Sequence, residues 1–195
     1  MSLIVITGCS SGIGAATARA FSAQGHSLLL LARRVAPMEA LQLPRCLVRG
    51  CDVAEAVAAA EAEFGLPVAC AVANAGLMQL GNLITQDERE WDAMFSVNCK
   101  GVRNLLQAVL PGMRERRRGT VIAISSIAGH KSFPNHAAYC GTKFAVGAIM
   151  ETVRKESAPF GVRACVISPG VVSTELLGHS TDPDIIAGSV LGTVF

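Results

Sequence analysis

Thr7-Gly8-Cys9-Ser10-Ser11-Gly12-Ile13-Gly14 lies between an apolar run at residues 3–6 and an amphipathic stretch at 12–24. A strand, a glycine-rich turn and a helix in that order build an anion cradle. Gly8 permits the tight turn. Gly12 removes the Cβ that would hold a pyrophosphate away, and Gly14 lets the helix lie close to the strand. The helix start adds unpaired N–H groups and a positive dipole end. No Gly-Lys-Ser/Thr follows, which excludes a P-loop.

The same alternation continues along the chain. Apolar runs at 3–6, 27–32, 45–48, 68–72, 120–124 and 162–167 read as six strands buried on both faces. Helical stretches at 12–24, near 37–41, 54–64, 88–113 (with a break) and 137–158 lie between them, and a last helix is expected near Pro183. Strands alternating with helices imply an α/β, doubly wound parallel sheet in a single domain spanning 1–195. The uncharged run 64–86 is long enough to span a bilayer, but Gly65, Pro67, Asn74, Gly76, Gly81 and Asn82 mark it as a strand and its loop.

Composition narrows the classes. The chain has 195 residues, of which 51% are hydrophobic and 16% charged, so it can bury a large core and is not disordered. A net charge of +2 gives no electrostatic case for nucleic acid. The seven cysteines form no C-x-x-C pair, which argues against a disulfide framework or structural zinc and points to a reducing, cytoplasmic setting. Ile6-Thr7-Gly8-Cys9 is no lipoprotein signal, because no Lys or Arg precedes it and its apolar run is short. No membrane span is expected. Arg114-Glu115-Arg116-Arg117-Arg118 reads as a solvated helix end stopped by Gly119. His130, His136 and His179 have no metal-ligand spacing.

Two further patterns carry chemistry. The second strand ends in Ala32, Arg33 and Arg34, where an acidic residue would bind the adenosine ribose of NAD. Arginine in its place favours a 2′-phosphate, so NADP is the expected cofactor, with Arg33 as the contact. Tyr139 and Lys143 stand four apart on one helix face, where the ammonium is expected to lower the phenol pKa. Ser126 closes the fifth strand, where its hydroxyl can hydrogen-bond a substrate carbonyl. Asn98 is placed to fix a water near Lys143.

Together these residues resemble the short-chain dehydrogenase/reductase family. Asn98, Ser126, Tyr139 and Lys143 look like its catalytic tetrad, and Thr7 with the G-x-x-x-G-x-G turn looks like its cofactor loop. Asp52-Val53 resembles the adenine contact. Asn74-Ala75-Gly76 resembles the Asn-Asn-Ala-Gly motif, with Ala73 in place of the first Asn. Pro169-Gly170-Val171-Val172-Ser173-Thr174 resembles the Pro-Gly-x-x-x-Thr segment beside the nicotinamide. The resemblance implies a Rossmann-type fold and hydride transfer between NADP(H) and a small-molecule carbonyl or alcohol substrate. It implies cofactor contacts from Gly8, Ser10, Ser11, Gly12, Ile13, Gly14, Arg33, Asp52, Val53, Asn74, Ala75, Gly76, Tyr139, Lys143, Pro169, Gly170, Val172 and Thr174. It also implies a homodimer or homotetramer, with Trp91 and Phe95 in the core or at the interface. The family continues after this segment into a further helix and a seventh strand, and residues 175–195 leave room for only part of that. The expected sheet therefore lacks the seventh strand and exposes the sixth. That keeps a second reading open, a non-catalytic nucleotide-binding or interaction protein truncated at its substrate wall.

Overall fold

Apolar β-rich runs become strands here because both of their faces are covered. The strands are β1 (Leu3–Thr7), β2 (Ser27–Leu31), β3 (Cys46–Arg49), β4 (Val68–Ala73), β5 (Gly119–Ile124) and β6 (Val162–Ile167). Every residue of β1 and β2 is buried. The computed structural model describes residues 1–50 and 53–176. All pairings are parallel, in the order β3-β2-β1-β4-β5-β6. Chain order reverses between β1 and β4, the point at which open α/β sheets bind ligands.

The helices are α1 (Gly12–Ala23), α2 (Ala36–Glu39), α3 (Val53–Phe64), α4 (Glu88–Phe95), α5 (Gly101–Glu115) and α6 (Ala137–Ser157). One sheet face packs Val5, Leu29, Ala71 and Val121 against α3, α5 and α6 through Val57, Leu105, Val109 and Met150. The other packs Ile4, Ile6, Leu28 and Leu30 against α1 and α2 through Ala18 and Met38. The expected break in the 88–113 stretch is a π-helical turn, Ser96–Lys100, which joins α4 to α5. Among the described residues β6 is the outer strand, and its Cys165, Val166 and Ile167 are exposed. The last expected helix, near Pro183, lies outside the described residues, as do Cys51, Asp52 and His179.

The arginine cluster departs from the sequence reading. Arg117, not Gly119, takes the left-handed conformation that ends α5, and Gly119 opens β5. A Cβ on Gly119 would stand 2.5 Å from the Met113 side chain. The arginines also tie elements together. Arg116 donates to the Val68 carbonyl at 2.6 Å, Arg117 to the Pro159 carbonyl at 2.7 Å, and Arg114 to the Ser157 hydroxyl at 3.0 Å.

Candidate active site

The site residues converge at the carboxyl ends of β1, β4, β5 and β6. Gly8 and Gly12 take φ values of +70° and +53°, which an L side chain rarely adopts. A Cβ on Gly8 would stand 2.6 Å from the Ala75 Cα, and one on Gly14 would collide with the Gly8 carbonyl oxygen. The turn is therefore packed against the loop after β4. Ser11 precedes α1 without a side-chain cap, and no acidic residue occupies the first turn. The N–H groups at the start of α1 thus have no capping side chain, which fits an anionic ligand such as a dinucleotide pyrophosphate. Ser10, Ser11 and Ile13 are all partly accessible on this turn.

Thr7 and Asn74 clamp the two loops. Thr7 Oγ1 accepts from the backbone N–H groups of Asn74 and Ala75, both at 3.0 Å. Asn74 Nδ2 donates to the carbonyls of Thr7 and Gly8 at 3.0 and 3.1 Å. The amide of Asn74 is thus turned toward the glycine turn. Thr174 closes on the same place, 3.1 Å from the position of a Cβ on Gly12. Pro169 is held by a bond from the Ile127 N–H at 3.0 Å, while Gly170 and Val172 are exposed.

Arg33 is exposed just beyond β2. Its neighbour Arg34, not singled out as a contact by sequence, reaches the glycine turn. Its Nη2 donates to Ser10 Oγ at 3.2 Å and to Glu175 Oε2 at 2.7 Å. Asp52 lies outside the described residues, and Val53 begins α3.

The proposed tetrad comes together on three elements. Tyr139 is 5% exposed and Lys143 6%, both on α6. Met78, Leu80, Met94 and Ala128 surround the tyrosine. Ser126, after β5, lies beside the Tyr139 phenol and accepts from the Ala128 N–H at 3.1 Å. Lys143 Nζ donates to the Ile124 carbonyl at 2.9 Å and lies 5.6 Å from the centre of the Tyr139 ring. Gly76 adjoins both partners, for its Cβ would stand 3.7 Å from Asn98 Oδ1 and 3.8 Å from Lys143 Nζ.

Electrostatics here correct one expectation. Burial pushes the Tyr139 phenol above its ordinary value of 10, and the Ser126 hydroxyl only partly opposes this. Lys143 does not reverse it, because its amine points to a carbonyl and reaches the tyrosine through the ring. Burial also brings the Lys143 amine down to about 8, so it remains mostly charged at neutral pH. The Asn98 amide is used on Leu77 and Thr142 (Oδ1 from Leu77 N–H, 2.8 Å; Nδ2 to Leu77 O, 2.9 Å, and to Thr142 Oγ1, 3.0 Å).

With this geometry in hand, the comparisons decide the family. Residues 2–184 match the short chain dehydrogenase family. An uncharacterized oxidoreductase of Staphylococcus saprophyticus is 40% identical over 195 residues, covering 94% of this chain and 79% of that protein. The chain belongs to the short-chain dehydrogenase family. Two solved members of similar fold differ in their ligand. An alcohol dehydrogenase from the archaeon Thermococcus sibiricus, complexed with 5-hydroxy-NADP, gives a TM-score of 0.84 at 30% identity, covering 97% of this chain and 88% of that one. A 3-ketoacyl-(acyl-carrier-protein) reductase from Brucella melitensis, complexed with NADH, gives 0.86 at 26% identity, covering 92% and 80%. This short-chain dehydrogenase is thus an oxidoreductase of a family that binds nicotinamide cofactors. Among the described residues no helix is long and apolar enough to cross a membrane, and no His/Cys/Asp/Glu cluster suits a metal.

Trp91 and Phe95 stack at 6.3 Å, with Trp91 packed on the Tyr139 cluster and Phe95 part-exposed. Sequence reasoning missed Thr142 and Arg34 as contacts. Their partners lie 44 and 141 residues away, and no local spacing signals them.

Proposed function

We propose that this chain transfers a hydride between NADP(H) and a small-molecule carbonyl or alcohol, with Tyr139 as general acid/base. The observation that carries the reading is the buried Tyr139 phenol beside Ser126, with the Lys143 amine 5.6 Å from its ring. When bound, the reduced nicotinamide supplies the hydride to the carbonyl carbon. Ser126 Oγ donates to the carbonyl oxygen as negative charge develops there. Tyr139 delivers its phenolic proton to that oxygen, with the charged Lys143 amine over its ring. Oxidation of an alcohol runs the same proton path in reverse. Asn98 holds the π-helical turn beside this pair.

The cofactor half of the site uses the same loops. Gly8, Ser10, Ser11, Gly12, Ile13 and Gly14 would hold the pyrophosphate, and Arg33 the 2′-phosphate. Val53, with Asp52 before it in sequence, would serve the adenine, and Asn74, Ala75 and Gly76 the ribose side. Pro169, Gly170, Val172 and Thr174 would serve the nicotinamide. The described cysteines are all free thiols, which supports a cytoplasmic setting. Exposed Phe95 and Phe144 support self-association as a homodimer or homotetramer.

A screen of NADPH and NADH oxidation against simple aldehydes, ketones and quinones tests the reading. Turnover of at least one carbonyl with NADPH favoured is the expected result. Tight NADPH binding with no turnover across the panel would instead support a non-catalytic binding protein.

A further inference from the structure

The three elements that carry the proposed tetrad are separate in sequence, so something must hold the Asn98 turn in register with α6. Thr142 supplies that tie. It is 0% exposed and Asn98 is 1% exposed, so neither side chain has water as an alternative partner. The direction of each bond is forced. The Leu77 N–H can only donate, which assigns Oδ1 of Asn98, and the Leu77 carbonyl can only accept, which assigns Nδ2. The second Nδ2 proton is then left for Thr142 Oγ1 at 3.0 Å. The Thr142 hydroxyl has one proton, and it goes to the Tyr139 carbonyl at 2.7 Å. A second bond joins the same two elements, with the Cys99 thiol donating to the Thr142 carbonyl at 3.7 Å.

We infer that Thr142 is a positioning residue, locking the π-helical turn that holds Asn98 to the helix that aims Tyr139 and Lys143. This rests on the oxidoreductase reading above. The hydroxyl is needed as acceptor and donor at once, so its shape alone does not suffice. Valine keeps the shape and removes both bonds, leaving a buried Asn98 N–H without a partner. Serine keeps both bonds.

The test uses the full chain, NADPH and the best carbonyl from the screen. In Thr142→Val, kcat should fall at least tenfold, while the NADPH Kd stays within twofold. Thr142→Ser should keep kcat within twofold of wild type. Asn98→Ala and Thr142→Val should combine to much less than the product of their separate losses, because each breaks the same tie. Circular dichroism checks folding, and Thr142→Ala replaces the valine variant if that one does not fold. Wild-type kcat without the hydroxyl, a serine variant as slow as valine, or independent effects of the two substitutions would each overturn the inference. Tyr139→Phe runs in parallel. If it keeps full turnover, the oxidoreductase mechanism itself fails, which is a separate outcome.

Discussion

Gly14 bears the tightest steric demand at the scale of single residues. A methyl group there would collide with the Gly8 carbonyl oxygen and stand 2.5 Å from Asn74 Nδ2. Backbone on one side and a doubly bonded amide on the other leave nothing free to move. Gly14→Ala is therefore expected to destabilise the chain by about 2 kcal/mol or more through overpacking. Urea unfolding measures this, with Gly25→Ala as a control of different kind, since only its φ of +77° is strained and its Cβ meets nothing within 4 Å. Equal losses in the two variants would argue against the close packing described. That Tyr139 and Lys143 share a helix face could be read from their spacing, and that Ser126 follows a strand from the apolar run before it. Thr142 and the Thr7–Asn74 clamp could not, since each pairs with residues tens of positions away in sequence. The phenol pKa went the other way from expectation because spacing shows a nearby charge but not how deeply both groups are buried.

At the scale of elements, the proposed preference for NADP rests on the end of β2. Arg33 is exposed there and Arg34 already engages Ser10 and Glu175. That ion pair is open to solvent and adds little stability by itself. Removing Arg33 should weaken NADPH binding about tenfold or more, the scale of one charge-assisted hydrogen bond, with NADH changed less than twofold. Fluorescence titration of both cofactors against Arg33→Ala checks this, and a parallel loss of NADH affinity would contradict a phosphate contact. The six strands followed from apolar runs and the doubly wound layout from their alternation with helices, with bounds that shift by a residue at β1, β2, β3, β4 and β5. The break in the long helical stretch was legible only as a break. Its form as a π-helical turn depends on packing against α6, which periodicity does not contain.

For the whole molecule, burial sets the response to alkali. Lys143 is lowered from 10.5 to about 8, so between these values the unfolded chain holds a proton that the folded chain has released. Stability therefore rises with pH across that window and is lost as pH falls through 8. Buried thiols act in the opposite sense. Burial lifts Cys9 from 9 to about 12, and Cys46 and Cys70 to about 11. Above pH 9 the unfolded thiols ionise while the folded ones do not, so stability falls. Three thiols give a slope of up to about 4 kcal/mol per pH unit, against about 1.4 for one lysine. Urea unfolding is expected to show a broad stability maximum between about pH 8 and 9, where the two effects offset, and a fall from 9 to 11. Lys143→Met should make the fall begin nearer pH 8, and Cys9→Ala should lessen it. A profile flat through pH 10 would contradict this burial. The same closed environment keeps Tyr139, the chain's one tyrosine, protonated at neutral pH, the form the proposed reduction requires. Its removal gives the most direct test. Tyr139→Phe and wild type are compared for NADPH oxidation at 340 nm with a carbonyl that wild type reduces, alongside the NADPH Kd of each. The expected result is a loss of turnover of at least a hundredfold with Kd within twofold. Turnover in Tyr139→Phe equal to wild type would contradict the proton-transfer role on which the function rests.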